Sequence, residues 1–206
     1  MNPVKEVCVE SFEEAIRAVK AGATRIELCD NLAVGGTTPS FGTIKKCMEK
    51  LTVPVIVMIR PRSGNFTYSQ DELEIMQDDI LICKELGVAG VAFGMLDGNG
   101  NINLEQTLEF VQLSKPLIIT FHKAIDNVVN ILDGVAFLKK IGVNRILSSG
   151  GKDSALEGQK TLNQMIELAS PQVSIIVAGK VTFENLKEIQ EKIPSGDYHG
   201  RRLVAF

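Results

Sequence analysis

Residues 3–30, PVKEVCVESFEEAIRAVKAGATRIELCD, decide the fold. After Pro3, the apolar Val7 and Val9 alternate with Glu6, Cys8 and Glu10, the two-residue period of a strand. Ser11 and Glu14 then stand at capping-box spacing, and the helical segment they open runs to Gly22, a residue suited to the left-handed cap that stops a helix. In RIELCD the alternation resumes, with Ile26 and Leu28 on one face and Arg25, Glu27 and Cys29 on the other. Strand, helix and strand in this order form the unit of a parallel sheet covered by helices.

The same pattern extends outward along the chain. Pro54, Pro116 and Pro171 open VIVMIR, LIITFH and QVSIIVAG, while Gly87 and Gly142 end helical segments ahead of GVAF and RILS. Gly196 in PSGDYHG is a shorter echo of that cap. Ser69 with Glu72 repeats the capping-box spacing, and Ser40 and Thr182 are further N-cap candidates. Eight strands with seven intervening helical segments predict an α/β fold, a (β/α)8 TIM barrel of about 26 residues per unit, in one domain over residues 1–206. An open doubly wound sheet is the alternative, but no G-x-G-x-x-G follows the first strand. The sequence stops at HGRRLVAF, just past the eighth strand, so the eighth helix is expected to be truncated or missing. The face it would cover is expected to meet a second copy in a homodimer or higher homo-oligomer.

Composition narrows the class of partner. With 45% hydrophobic and 23% charged residues the chain has globular usage, which excludes disorder. Lys and Arg number 22 against 25 Asp and Glu, with no basic cluster, so nucleic acid is not an expected partner. No apolar run reaches the ~18 residues needed to cross a bilayer, and MNPVKEVCVE lacks the apolar core of a secretory signal. A soluble, intracellular protein is expected, with its four cysteines reduced. Cys47 shares a helical face with Ile44, Met48 and Leu51, and Cys83 with Leu73, Met76 and Ile80, which marks both as core residues.

Strand phase also selects the barrel interior. It turns inward Glu6, Cys8 and Glu10, then Arg25, Glu27 and Cys29, then Met58 and Arg60. Thr120 and His122, Ser149 and His199 follow from later strands. Most of these lie toward the C-terminal strand ends, where barrel proteins build their sites. DNLAVGGTTPS, at residues 30–40, could close over a ligand, and SSGGKDS offers backbone amides ahead of a helix as an anion seat. Arg60 and Arg62 could clamp a carboxylate or phosphate between them, unless Arg60 only neutralises the glutamates. DGNGNI imitates a calcium loop, but Ile102 and Leu108 stand where Gly and Glu are required, so it reads as a turn. H-E-x-x-H, G-x-S-x-G and C-x-x-C are absent, and two histidines are too few for a multi-histidine zinc site.

CVESFEEAIRAVKAGATRIELCDNLAVGGTTPS, continued by VPVIVMIRPRSGNFTYS, LIITFHKAID and NRILSSGG, resembles the copper homeostasis protein CutC family over nearly the whole chain. The resemblance implies a TIM barrel, a cytoplasmic location and a part in copper handling. It also implies Cu(I) as the bound ion, with ligands that fall on Cys8 and Cys29. VAGKVT departs from the family pattern, with Lys180 where a glycine is expected, which puts a phosphate seat at that loop in doubt.

Two functions are therefore expected. One is Cu(I) binding by Cys8 and Cys29, whose strands lie ~4.8 Å apart, with Met58 adding a thioether. The alternative is an enzyme of lyase or isomerase type acting on a small anionic metabolite. In that reading Glu10, Glu27 and His122 carry acid–base chemistry, while Arg60, Arg62, Ser149 and His199 hold the ligand.

Overall fold

Val7 and Val9 of the first strand pack outward against helices, leaving Glu6 and Cys8 on the opposite face, and this sorting recurs around the molecule. The structure is a computed structural model describing residues 3–205. Eight parallel strands close into a barrel: β1 (Val4–Val9), β2 (Arg25–Leu28), β3 (Val55–Met58), β4 (Gly90–Phe93), β5 (Ile118–Phe121), β6 (Arg145–Ser148), β7 (Ser174–Val177) and β8 (Asp197–His199). Seven α-helices cover it among the described residues: α1 (Phe12–Lys20), α2 (Phe41–Lys50), α3 (Gln70–Glu85), α4 (Leu104–Ser114), α5 (Ile131–Ile141), α6 (Gln159–Ala169) and α7 (Leu186–Lys192). No helix follows β8 among the described residues, and none of the helices is long and apolar enough to cross a membrane.

The main apolar core lies between strands and helices, where Cys47 and Cys83 are fully buried as the helical spacing predicts. A separate small cluster of Leu147, Ile176 and Ala178 belongs to the interior face. Ile56, Met58 and Ala92 add further apolar surface, and much of the remainder is polar: the β1 register sets Glu6 beside Arg25 on one side and beside His199 on the other.

Local signals explain most element boundaries. Gly22, Gly87 and Gly142 adopt the left-handed conformation after α1, α3 and α5, with φ of 101°, 71° and 89°. Gly196 does not. Ser69 and Glu72 form a complete capping box on α3, and Ser40 caps α2. At α1 the Ser11 side chain accepts from Glu14 N–H, but the Glu14 carboxylate reaches back to Glu10 N–H instead of closing the box on Ser11. Thr182 is not a cap. Its N–H donates to the Asn185 side chain, and α7 begins only at Leu186. DGNGNI is a turn, with Asp97 Oδ1 accepting from the N–H groups of Asn99 and Asn101.

Candidate functional site at the barrel mouth

The site rests on a buried ionic floor. Arg25 Nε donates to Glu6 at 2.5 Å and Arg25 Nη2 donates to Asp197 at 2.7 Å, while Arg145 Nη1 lies 3.9 Å from Glu6. Burial alone would raise the Glu6 carboxyl, but the hydrogen bond with His199 and the charges of Arg25 and Arg145 outweigh it and hold the pKa at about 2. Sequence phase placed Glu6 and Arg25 inside without giving them a role. Asp197 and Arg145 went unnoticed, although the same alternation in DYH and RILS turns both inward.

Above the floor, His199 Nδ1 and Glu6 Oε1 are 2.8 Å apart, which orients the ring and leaves Nε2 facing Glu27 Oε2 at 3.6 Å. Burial disfavours imidazolium here, yet Cys8, Glu27 and Glu6 around the ring raise its pKa well above the usual value. Burial raises the Glu27 carboxyl, opposed by the charge of His199. Glu27 Oε1 is buried and finds no hydrogen-bond partner among the described residues. Glu6, Glu27 and His199 offer atoms within 4.8 Å of one another, but the oxygens of Glu6 are already engaged by His199 and Arg25.

A cavity of about 560 Å³ opens over this pair at the C-terminal strand ends. Cys8, Glu27, Met58, Arg60, His122 and His199 reach it from five strands or their ends. Cys29 is fully buried, does not line the cavity and contacts Glu27 Oε2 at 3.7 Å. Burial, Glu27 and Cys8 all raise its thiol pKa well above the usual value. Gly36 packs directly over it, since a Cβ there would come within 3.3 Å of the sulfur.

The loop after β2 is tied down rather than left open. Arg60 Nη1 donates to the carbonyls of Val34 and Gly36, and Nη2 to that of Gly64. Arg60 thus neutralises no glutamate; Arg25 does that for Glu6. The guanidinium also lies over the Phe66 ring, 4.9 Å from its centre.

Besides Cys29, two further expected site residues are not brought to this cavity. β1 ends at Val9, so Glu10 stands at the rim, where its carboxylate accepts from Leu32 N–H and from Arg201. Pro61 turns the chain after β3, and Arg62 points away to an ion pair with Glu72 at 2.5 Å, so the two arginines form no clamp. Ser149 does line the cavity, but its hydroxyl contacts Asp126, Lys123 and the Lys152 carbonyl. The anion seat expected in SSGGKDS already holds an anion of the chain itself: Asp126 accepts from the N–H groups of Ser149 and Gly151 and from the Ser148 hydroxyl.

Neutral His122 completes the wall. Burial, reinforced by the Arg60 charge, lowers its pKa to about 3. Its Nδ1 accepts from Ala124 N–H at 3.2 Å, so the neutral ring carries its proton on Nε2. That Nε2 is buried and has no partner among the described residues.

Closed β/α topology with a polar cavity over the C-terminal strand ends defines a TIM-barrel protein with its site in the usual position. Residues 4–202 match the model of the CutC family, and the chain belongs to that family. It is 42% identical over 194 residues to the copper homeostasis protein cutC homolog of Mus musculus, covering 94% of this chain and 71% of the relative. To the family protein CutC of Enterococcus faecalis it is 38% identical over 208 residues, covering 98% and 100% of the two chains. A crystal structure under the name copper homeostasis protein CutC from Streptococcus agalactiae superposes with a TM-score of 0.93 at 36% identity, covering 98% of this chain and 100% of the other. A dihydrodipicolinate synthase from Bacillus anthracis, at 15% identity and a TM-score of 0.66, shares the fold alone.

Proposed function

We propose that this CutC-family chain serves copper homeostasis by binding Cu(I) at the barrel mouth through Cys8 and Cys29. The observation that carries the reading is that both thiols gather around Glu27: the register sets Cys8 beside it, and the Cys29 sulfur lies 3.7 Å from its Oε2 just past the end of β2. The donor set suits a soft ion: two thiols, with the Met58 thioether on the same cavity wall as Cys8. Cys8 is the solvent-reachable member and Cys29 the buried one beneath Gly36. Each thiol would bind as thiolate, so the ion replaces two protons whose loss burial opposes at Cys29. Anaerobic competition against a Cu(I) chelator tests the reading. Cys8→Ser with Cys29→Ser should weaken binding at least tenfold, and equal affinities would remove both thiols from the site.

A second reading, binding of a small anion, is favoured by Arg60. This guanidinium is only 5% exposed and has no carboxylate partner among the described residues, so a ligand anion would offset its charge. In that reading anionic metabolites raise the melting temperature, Arg60→Ala abolishes the rise, and Arg62→Ala leaves it intact. A rise that survives Arg60→Ala contradicts it.

A further inference from the structure

His122 lines the cavity with a neutral ring held in one orientation. Its ring is fixed by Ala124 N–H on one nitrogen and lies 5.0 Å from the Phe66 ring, while Gly94 leaves it room. A Cβ on Gly94 would come within 2.7 Å of Nδ1, so the ring fills the space that the glycine provides. The same Phe66 ring carries the Arg60 guanidinium, which places a buried cation and a buried N–H donor on one stretch of wall. Both keep a buried donor without an acceptor among the described residues, His122 Nε2–H and Arg60 Nε–H. A buried donor without an acceptor is costly, so an occupant with acceptor oxygens would satisfy this wall.

We infer that His122 Nε2–H and Arg60 form a recognition pair for a small oxyanion bearing a carbonyl, with the carbonyl oxygen on His122 and the anionic group toward Arg60. This deepens the small-anion reading and rests on it. A neutral imidazole donates to a carbonyl oxygen without bringing a second full positive charge beside Arg60, and burial keeps the ring neutral at physiological pH. Carboxylates and phosphates share the required acceptor chemistry, and the cavity admits either on a skeleton of a few carbons.

Four probes separate the possibilities: hydroxypyruvate and glycerate, which differ in the carbonyl, and dihydroxyacetone phosphate and glycerol 3-phosphate, which differ likewise. The chain has only two histidines, so ring N–H signals of nitrogen-15-labelled protein can be assigned with a His122→Phe variant. At least one carbonyl probe should bind tenfold or more tightly than its alcohol counterpart and shift the His122 Nε2–H signal as it saturates. The tighter of the two carbonyl probes identifies the anionic group. His122→Phe should erase the preference for the carbonyl, and the wild-type signal stands as a test even where that variant folds poorly. Binding that leaves the His122 signal in place, or that treats carbonyl and alcohol alike, overturns this inference alone. Failure of all four probes to bind removes the small-anion reading together with it.

Discussion

Acidification should single out His122. In the folded chain its pKa is about 3, against an ordinary value of 6.5, so between these limits the unfolded chain binds the proton that the fold refuses. The contribution to stability is therefore complete above pH 6.5 and is lost as pH falls toward about 3. From about pH 7 to about pH 4.5 the loss amounts to about 2 to 3 kcal/mol, at ~1.4 kcal/mol for each unit of displacement. The ring is 3% exposed, so solvent screening does little to reduce that figure. The comparison is with His122→Gln, which cannot take up the proton. Glu6 and the other carboxylates titrate in both proteins and largely cancel in the difference. Urea unfolding at the two pH values, extrapolated linearly to water, measures it. Wild type should lose about 2 to 3 kcal/mol more than the variant on acidification. Equal losses would mean that the ring takes up its proton freely in the fold, and the fixed neutral tautomer would have to be abandoned.

Asp126→Ala should destabilise the chain by about 3 kcal/mol, because it strands Ser149 N–H, Gly151 N–H and the Ser148 hydroxyl at once. Sulfate should recover part of the loss by occupying the emptied seat, and urea unfolding with and without sulfate reads both effects. Arg25→Met leaves Glu6 and Asp197 facing each other's charge in the barrel floor, and a loss of about 3–5 kcal/mol is expected in the same assay. Gly94→Ala should displace the His122 ring, seen as a shift of its ring N–H signal, with the barrel otherwise preserved.

Inside the strands, the two-residue period read from the sequence places side chains correctly: Cys8, Glu27, Met58 and His199 all reach the predicted interior. Past the strand ends the period holds only in places, as at Arg60 and His122, because the backbone begins to leave the pleat. Glu10 and Arg62 keep the parity of Cys8 and Arg60, yet one sits after the end of β1 and the other after Pro61. Asp126 illustrates a different difficulty. Its partners lie more than twenty residues away on the loop after β6, and nothing in either segment alone marks the carboxylate as the occupant of that loop's amides. The state of His122 was equally hidden, since it depends on Ala124 N–H and on a guanidinium brought from β3.

X-ray absorption at the copper edge of the Cu(I)-loaded chain tests the copper reading most directly. The account predicts two sulfur neighbours from Cys8 and Cys29, one of them lost in Cys8→Ser and one in Cys29→Ser. A copper environment of nitrogen and oxygen alone, unchanged by either substitution, would contradict it.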